Sequence, residues 1–374
     1  MFACLWVNIF TMKPSFFIIL VAYCFSVMGC SKATETPIPS LTGNATNTPV
    51  AKLRPASIGI IGDSANVVKS TNGGMVLMGG GADVDAAFKW MIERSGGGDV
   101  VVLRATGTGT YNPYINGLGS VNSVETLLIN TKELANNDTV AYIIRNAEMV
   151  FIAGGDQSDY MRYWKGTKTE QALNYLLNEK KAPFGGTSAG CAILGGFYYS
   201  GETGGLTAAQ ALANPYNTNV TLYNNDFLKA PYLQNVITDQ HYLTRDREGR
   251  SVVFLGRINK DFSVQAKCIA VDERTAVCID NNGKAQVFGD YSATRGYSYA
   301  YFLIPDATKQ PEQFEANQKV NWNNNEKAVS VYEIAASANG GGSFNVATFK
   351  ASEASGGKWY SWWIDNGVLN KKDQ

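Results

Sequence analysis

The stretch Phe184-Gly185-Gly186-Thr187-Ser188-Ala189-Gly190-Cys191-Ala192 decides how the chain is read. It holds Gly186-x-Ser188-x-Gly190, the pattern of a nucleophile elbow. Ala182-Pro183-Phe184 reads as a short buried strand, and Ala189 to Leu194 as the start of a tightly packed helix. A serine on so sharp a turn tolerates only glycine or alanine around it, because adjacent backbones close up there. The turn aims the Ser188 hydroxyl outward and leaves the Ala189 N–H at a helix N-terminus, where it can donate to a developing oxyanion. A glycine-rich turn with a capping serine fits the same residues, so the surrounding chain has to decide.

Outward from the elbow, the pattern alternates between strand and helix from residue 56 onward. Ile58-Gly59-Ile60-Ile61 and Met75-Val76-Leu77-Met78 read as strands. Gly79-Gly80-Gly81 then turns into a helix capped by Asp83, with Val84, Ala87, Phe88 and Met91 on one face. The triglycine matches neither a dinucleotide loop nor a Walker loop and reads as a tight turn near the site. Val100-Val101-Val102-Leu103 is a continuous apolar run, as in a parallel strand buried on both faces. Strands over 124–129 and 149–152 follow, the second after a helix over 139–147, and a helix over 170–179 feeds the elbow. Repeated βαβ units predict an α/β fold with a doubly wound, mostly parallel sheet, its ligands at the carboxyl ends of the strands.

Beyond residue 268 strand-like runs dominate: 268–271, 275–279, a hairpin at Asn282-Gly283, then 284–288, 299–304, 329–334, 344–349 and 358–364. The aromatics Trp359, Tyr360, Trp362 and Trp363 fit a sugar-binding platform or, as strand aromatics generally do, the packing of a sheet. The organisation expected is a lipoprotein signal peptide over 1–30, a flexible tether over 31–53, an α/β domain over 54–290 and a β-rich C-terminal extension over 291–374.

The N-terminal reading rests on Lys13, the apolar run from Phe16 to Tyr23, and Ser26-Val27-Met28-Gly29-Cys30. This resembles a bacterial lipoprotein signal, in which Cys30 becomes the lipidated first residue. The address expected is therefore an exported lipoprotein, periplasmic or at the cell surface, held to a membrane by its lipid. The Thr/Pro/Ser/Asn-rich segment after Cys30 has no apolar periodicity.

The chain has 374 residues, 45% of them hydrophobic, and 32 Lys+Arg against 32 Asp+Glu. That balance gives no basic excess for nucleic acid. Outside the signal only Cys191, Cys268 and Cys278 remain, with no CxxC or His/Cys cluster, so no metal, cofactor or disulfide framework is expected. In an exported protein a Cys268–Cys278 hairpin bridge is the alternative to three free, buried cysteines.

The single histidine, His241, lies in Asp239-Gln240-His241-Tyr242-Leu243-Thr244-Arg245-Asp246-Arg247-Glu248-Gly249-Arg250. A serine nucleophile at neutral pH needs a base, and His241 is the sole imidazole available to Ser188. Arg245, Arg247 and Arg250 crowd together, as suits an anion gripped among guanidiniums; a solvated helix start is the plainer alternative. Asp272 and Glu273, acids between two apolar strands, are candidates to orient His241, or else simply a turn. Phe151-Ile152-Ala153-Gly154-Gly155-Asp156-Gln157 ends a buried strand with two glycines, placing a Gly N–H as a second oxyanion donor and Gln157 in the pocket wall.

Together these segments resemble the cyanophycinase family of serine peptidases, related to bacterial aspartyl dipeptidase. The matching pieces are Gly154-Gly155-Asp156-Gln157, Gly185 to Gly190, Asp239-Gln240-His241 with the three arginines, and Val271-Asp272-Glu273-x-Thr275-Ala276, in the family's order. The resemblance implies a fold like class I glutamine amidotransferases and flavodoxin. It implies a Ser188–His241–Glu273 triad and an oxyanion hole from the Gly155 and Ala189 N–H groups. It assigns Gln157, Asp239, Gln240, Arg245, Arg247 and Arg250 to substrate binding, and suggests a homodimer. The activity implied is exopeptidase release of β-Asp-Arg dipeptides from cyanophycin or a related β-aspartyl peptide. The alternatives are an aspartyl dipeptidase-like enzyme for other acidic peptides and a non-catalytic surface binding lipoprotein. Cys191 stands where the family usually has alanine, and Arg274 where it often has an acid. The insert at 201–223 and the tail after 290 lie outside its core.

Overall fold

A computed structural model describes residues 54–290, 296 and 298–374. The expected signal and tether lie outside the described residues. In chain order the first half comprises β1 (Ser57–Gly62), β2 (Met75–Met78), α1 (Asp85–Arg94), β3 (Asp99–Arg104), α2 (Tyr111–Asn116), β4 (Ser123–Leu128), α3 (Lys132–Ala135), α4 (Asp138–Asn146), β5 (Met149–Ile152), α5 (Gln157–Trp164), α6 (Lys168–Tyr175), β6 (Phe184–Thr187) and α7 (Ala189–Ala192). The second comprises β7 (Phe197–Tyr199), α8 (Ala208–Ala213), β8 (Leu222–Asn224), β9 (Val236–Gln240), α9 (Glu248–Phe262), β10 (Lys267–Val271), β11 (Thr275–Ile279), β12 (Lys284–Gly289), β13 (Tyr299–Pro305), β14 (Val329–Ala335), β15 (Gly341–Asn345), β16 (Lys358–Asp365) and β17 (Val368–Asp373).

These strands form two sheets. The first runs β1-β4-β3-β5-β6-β2-β11-β12-β15, and its central strands β4, β3, β5, β6 and β2 are all parallel. The second runs β17-β16-β14-β13-β10-β9-β7-β8 and is parallel only across β10, β9 and β7. The parallel strands are the apolar runs of the sequence; every residue of β2 and β5 is buried. Such strands need cover on both faces, and they have it. α1 closes the outer face of the first sheet over Val76, Val100 and Phe151. α9 closes the outer face of the second over Ile237, Ala270 and Val331. Between the sheets lies the largest apolar core, from Leu77 and Ile152 to Ile269 and Phe302.

Four details differ from the sequence reading. Asp83 does not cap α1: Val84 holds that position without a side-chain cap, and the Asp83 carboxylate accepts the Tyr111 hydroxyl at 2.6 Å instead. The elbow strand is Phe184–Thr187 and so runs through its glycines, because β5 and β2 pair with it on both sides. The helix feeding it ends at Tyr175 and passes into one π-turn, Leu176–Lys180, closed by Lys181 at φ 55°. The strand expected at 344–349 begins earlier, at Gly341.

The strands after residue 290 are built into the same two sheets as those before it: β13 pairs with β10, and β15 with β12. Cys268 lies under α9 and Cys278 under α1, on the outer faces of different sheets, so they cannot bridge; with Cys191 they are buried free thiols. The aromatics of β16 pack the second sheet: Trp362 is buried beside Tyr301, and Trp359 lies on Tyr332.

Candidate active site

The elbow follows from steric closure at two glycines. A Cβ on Gly186 would come within 2.5 Å of the Gly190 carbonyl carbon, and one on Gly190 within 2.2 Å of the Ile152 oxygen. No side chain fits at either place, which is why the backbone can fold so tightly at Ser188. Ser188 itself sits at φ 53°, ψ −117°, a strained conformation that costs on the order of 1–3 kcal/mol and is held by its surroundings. Its N–H donates to the Met78 carbonyl at 3.1 Å, which fastens the elbow to the end of β2.

His241 follows β9 directly, at φ 51°, and its N–H donates to the Gly79 carbonyl at 2.8 Å. Nε2 lies 2.7 Å from Ser188 Oγ, and Nδ1 lies 2.7 Å from Glu273 Oε1. Glu273 occupies the turn between β10 and β11, which carries the chain from the second sheet to the first. Asp272, its neighbour, accepts instead from the Thr244 N–H and hydroxyl, at 3.1 and 3.0 Å, and so fixes the loop after His241. Burial holds the imidazole below its usual range; the hydrogen bond to Glu273 opposes this, and the Arg245 and Arg247 charges reinforce it. A neutral ring at neutral pH is what a general base requires.

The triglycine turn after β2 forms the floor of this arrangement. A Cβ on Gly80 would sit 2.3 Å from His241 Cε1, and one on Gly81 3.1 Å from Glu273 Oε2. The sequence placed a tight turn near the site; the structure puts it directly beneath the imidazole.

Ser188 faces the end of β5. A Cβ on Gly154 would lie 3.4 Å from that of Ser188, so the Gly154-Gly155 segment runs past the Ser188 side chain. The Ala189 N–H begins α7 beside it. From there a cleft of about 630 Å³ opens, lined by Gly155, Gln157, Arg245, Arg247, Arg250 and residues of the 201–210 loop. Gln157, at the start of α5, donates to the Tyr199 carbonyl at 3.4 Å.

The three arginines are not equivalent. Arg245 is exposed. Arg247 donates to the Gln240 carbonyl at 2.7 Å, and burial pushes its guanidinium down to about 10, so it remains a cation at neutral pH. Arg250 is buried and committed: Nε and Nη2 reach Asp239 at 3.0 and 2.5 Å, and Nη1 donates to the Leu206 carbonyl. Asp239, only 1% exposed, also accepts from Ser251. Burial opposes its charge, but Arg250 and Arg247 hold the carboxyl below its usual range. Asp239 is thus the counter-ion of the arginine cluster, and one carboxylate is set against two nearby guanidiniums. Gln240 is buried, and its Oε1 has no hydrogen-bond partner. Among the described residues no group of three or more His, Cys, Asp or Glu side chains is arranged to hold a metal.

The model of peptidase family S51 matches residues 75–287, more than half of the 374. The chain belongs to peptidase family S51. The matched span begins at β2 and ends in β12, so it contains the elbow, His241, Glu273 and the cleft. Two curated relatives named cyanophycinase are similar to it. That of Trichormus variabilis is 26% identical over 171 residues, 46% of this chain and 52% of the relative. That of Synechococcus elongatus is 25% identical over 252 residues, 63% of this chain and 73% of the relative. The chain thus spans about half the length of the first of these relatives. A solved peptidase from an acI-B1 Actinobacterium aligns with a TM-score of 0.44 at 17% identity, over 63% of this chain and 91% of its own.

Two features of the site escaped sequence reading. The contact of Gly80 with His241 joins segments far apart in the chain, and only the run of three glycines hinted at it. The 201–210 loop, expected from the sequence to be an insert outside the family core, lies within the matched span and supplies the Leu206 carbonyl to Arg250 and part of the cleft wall.

Proposed function

We propose that the protein is a serine-type exopeptidase that hydrolyses cyanophycin or related β-aspartyl peptides, releasing β-Asp-Arg. The observation that carries this reading is the unbroken line Ser188 Oγ, His241 Nε2, His241 Nδ1, Glu273 Oε1, both links 2.7 Å. Ser188 attacks the β-aspartyl carbonyl while His241 takes its proton, then returns it to the leaving amine. Glu273 holds the imidazole tautomer and balances the imidazolium. The Gly155 and Ala189 N–H groups receive the oxyanion. Arg247, with Asp239 buried behind it, and the exposed Arg245 suit a substrate carboxylate, and Gln157 lines the same cleft. Asp239 and the Gln240 carbonyl serve the substrate by holding Arg247 in place, and Arg250 fixes Asp239. The relatives named cyanophycinase support the substrate class. The Lys13-to-Cys30 segment supports export as a lipid-anchored protein, and a homodimer is part of the same proposal.

The test is hydrolysis of cyanophycin and short β-aspartyl peptides by the wild-type protein beside Ser188→Ala. Wild type is expected to release β-Asp-Arg, and the variant to lose on the order of a million-fold in turnover. Equal activity of the two would refute the serine mechanism. Turnover of short peptides without the polymer would replace the substrate with that of a dipeptidase.

A further inference from the structure

Asp83 has no part in the chemistry above, yet its surroundings are unusual. Its Oδ2 accepts the Tyr111 hydroxyl at 2.6 Å. Its Oδ1 is shut off from solvent without a hydrogen-bond partner, and so is the Thr187 hydroxyl. The two side chains are neighbours: burial pushes the Asp83 carboxyl above its usual range, while the Tyr111 and Thr187 hydroxyls act against that shift. Two buried polar oxygens left unpaired are costly, and one hydrogen shared between these neighbours satisfies both. Either the Thr187 hydroxyl or a protonated Asp83 can supply it.

The position of this pair gives it meaning. Thr187 immediately precedes Ser188. Asp83 closes the turn whose Gly79 carbonyl takes the His241 N–H at 2.8 Å and whose Gly80 carbonyl takes the Arg274 N–H at 2.9 Å, beside Glu273. The turn therefore touches His241 and Glu273 directly, and the elbow through Asp83.

We propose that Asp83 is a positioning residue: clasped between Tyr111 and Thr187, it locks the triglycine turn to the elbow, so that Ser188, His241 and Glu273 keep one mutual geometry. The inference rests on the serine-peptidase reading of the site. A buried acid that merely steadied the start of α1 would affect melting and leave the reactivity of Ser188 unchanged.

The rate at which a fluorophosphonate probe labels Ser188 in the full chain tests this without a choice of peptide substrate. Wild type is expected to label and Ser188→Ala not to. Asp83→Ala is expected to label more slowly, on the order of 100-fold if the triad parts shift by about 1 Å. Asp83→Asn should recover most of the rate, because its amide can accept from Tyr111 and donate to Thr187. Labelling of Asp83→Ala at the wild-type rate, or of Asp83→Asn no faster than Asp83→Ala, overturns the proposal. Should Asp83→Ala not fold, Tyr111→Phe decides: slower labelling supports the clasp, and an unchanged rate overturns it. A wild-type Ser188 that does not label overturns the serine-peptidase reading itself, and the clasp with it.

Discussion

Substituting Gly80 by alanine introduces one methyl group directly under the His241 imidazole. The added Cβ would stand 2.3 Å from His241 Cε1, 2.7 Å from Nε2 and 2.9 Å from Nδ1. To restore van der Waals contact the ring or the turn must retreat by about 1 Å, and a displacement of that size in a catalytic group costs on the order of 100-fold in rate. The turn has little freedom to move instead, since its Gly79 and Gly80 carbonyls hold the His241 and Arg274 N–H groups. Either movement lengthens one of the 2.7 Å links that join Ser188 and Glu273 to the ring. Gly80 also lies at φ +97°, where an alanine adds roughly 1–2 kcal/mol of backbone strain. Gly80→Ala should therefore fold with a lowered melting temperature, and lose kcat with little change in KM. Steady-state kinetics on a β-aspartyl peptide, with a thermal melt on the same preparation, measure both. A kcat within about twofold of wild type would refute the claim that the turn sets the position of the ring.

Two further outcomes follow from the electrostatics. Burial places the folded-state pKa of His241 below its usual 6.5, so the neutral base persists to more acid pH than for a free imidazole. The acid limb of kcat/KM should have its midpoint below 6.5; one at or above 6.5 would contradict this. The sign for stability is the same: between the two values the unfolded chain binds the proton and the folded one does not, so stability falls as pH drops through that window. Asp239→Ala leaves the buried Arg250 and the half-buried Arg247 without their carboxylate. It should destabilise the protein by about 3–5 kcal/mol, the range for breaking a buried ion pair, as read from denaturant unfolding. A loss below about 1 kcal/mol would show that Asp239 is not their counter-ion.

Much of the site was legible in the sequence because its chemistry falls in short segments. In Gly186-x-Ser188-x-Gly190 the closure of Gly186 on Gly190 joins residues four apart and is a local fact, whereas the closure of Gly190 on the end of β5 is a tertiary one. A lone histidine leaves no choice of imidazole. Parallel strands buried on both faces must be apolar throughout, so β2, β3 and β5 and their alternation with helices were visible as runs. Other pairings had no local signature. Asp272 and Glu273 are adjacent acids of the same kind, and only the turn from the second sheet to the first decides that Glu273 meets His241 while Asp272 meets Thr244. Asp83 has the spacing of a helix cap, but the proximity of Tyr111 claims its carboxylate. Three arginines in six positions look alike on paper; burial beside Asp239 commits Arg250 and leaves Arg245 exposed. The sequence alone determined which residue types were present and which backbone turns were sterically possible. Tertiary structure decided which of several equivalent side chains share a hydrogen, because that depends on distances between segments far apart in the chain, which local sequence does not encode.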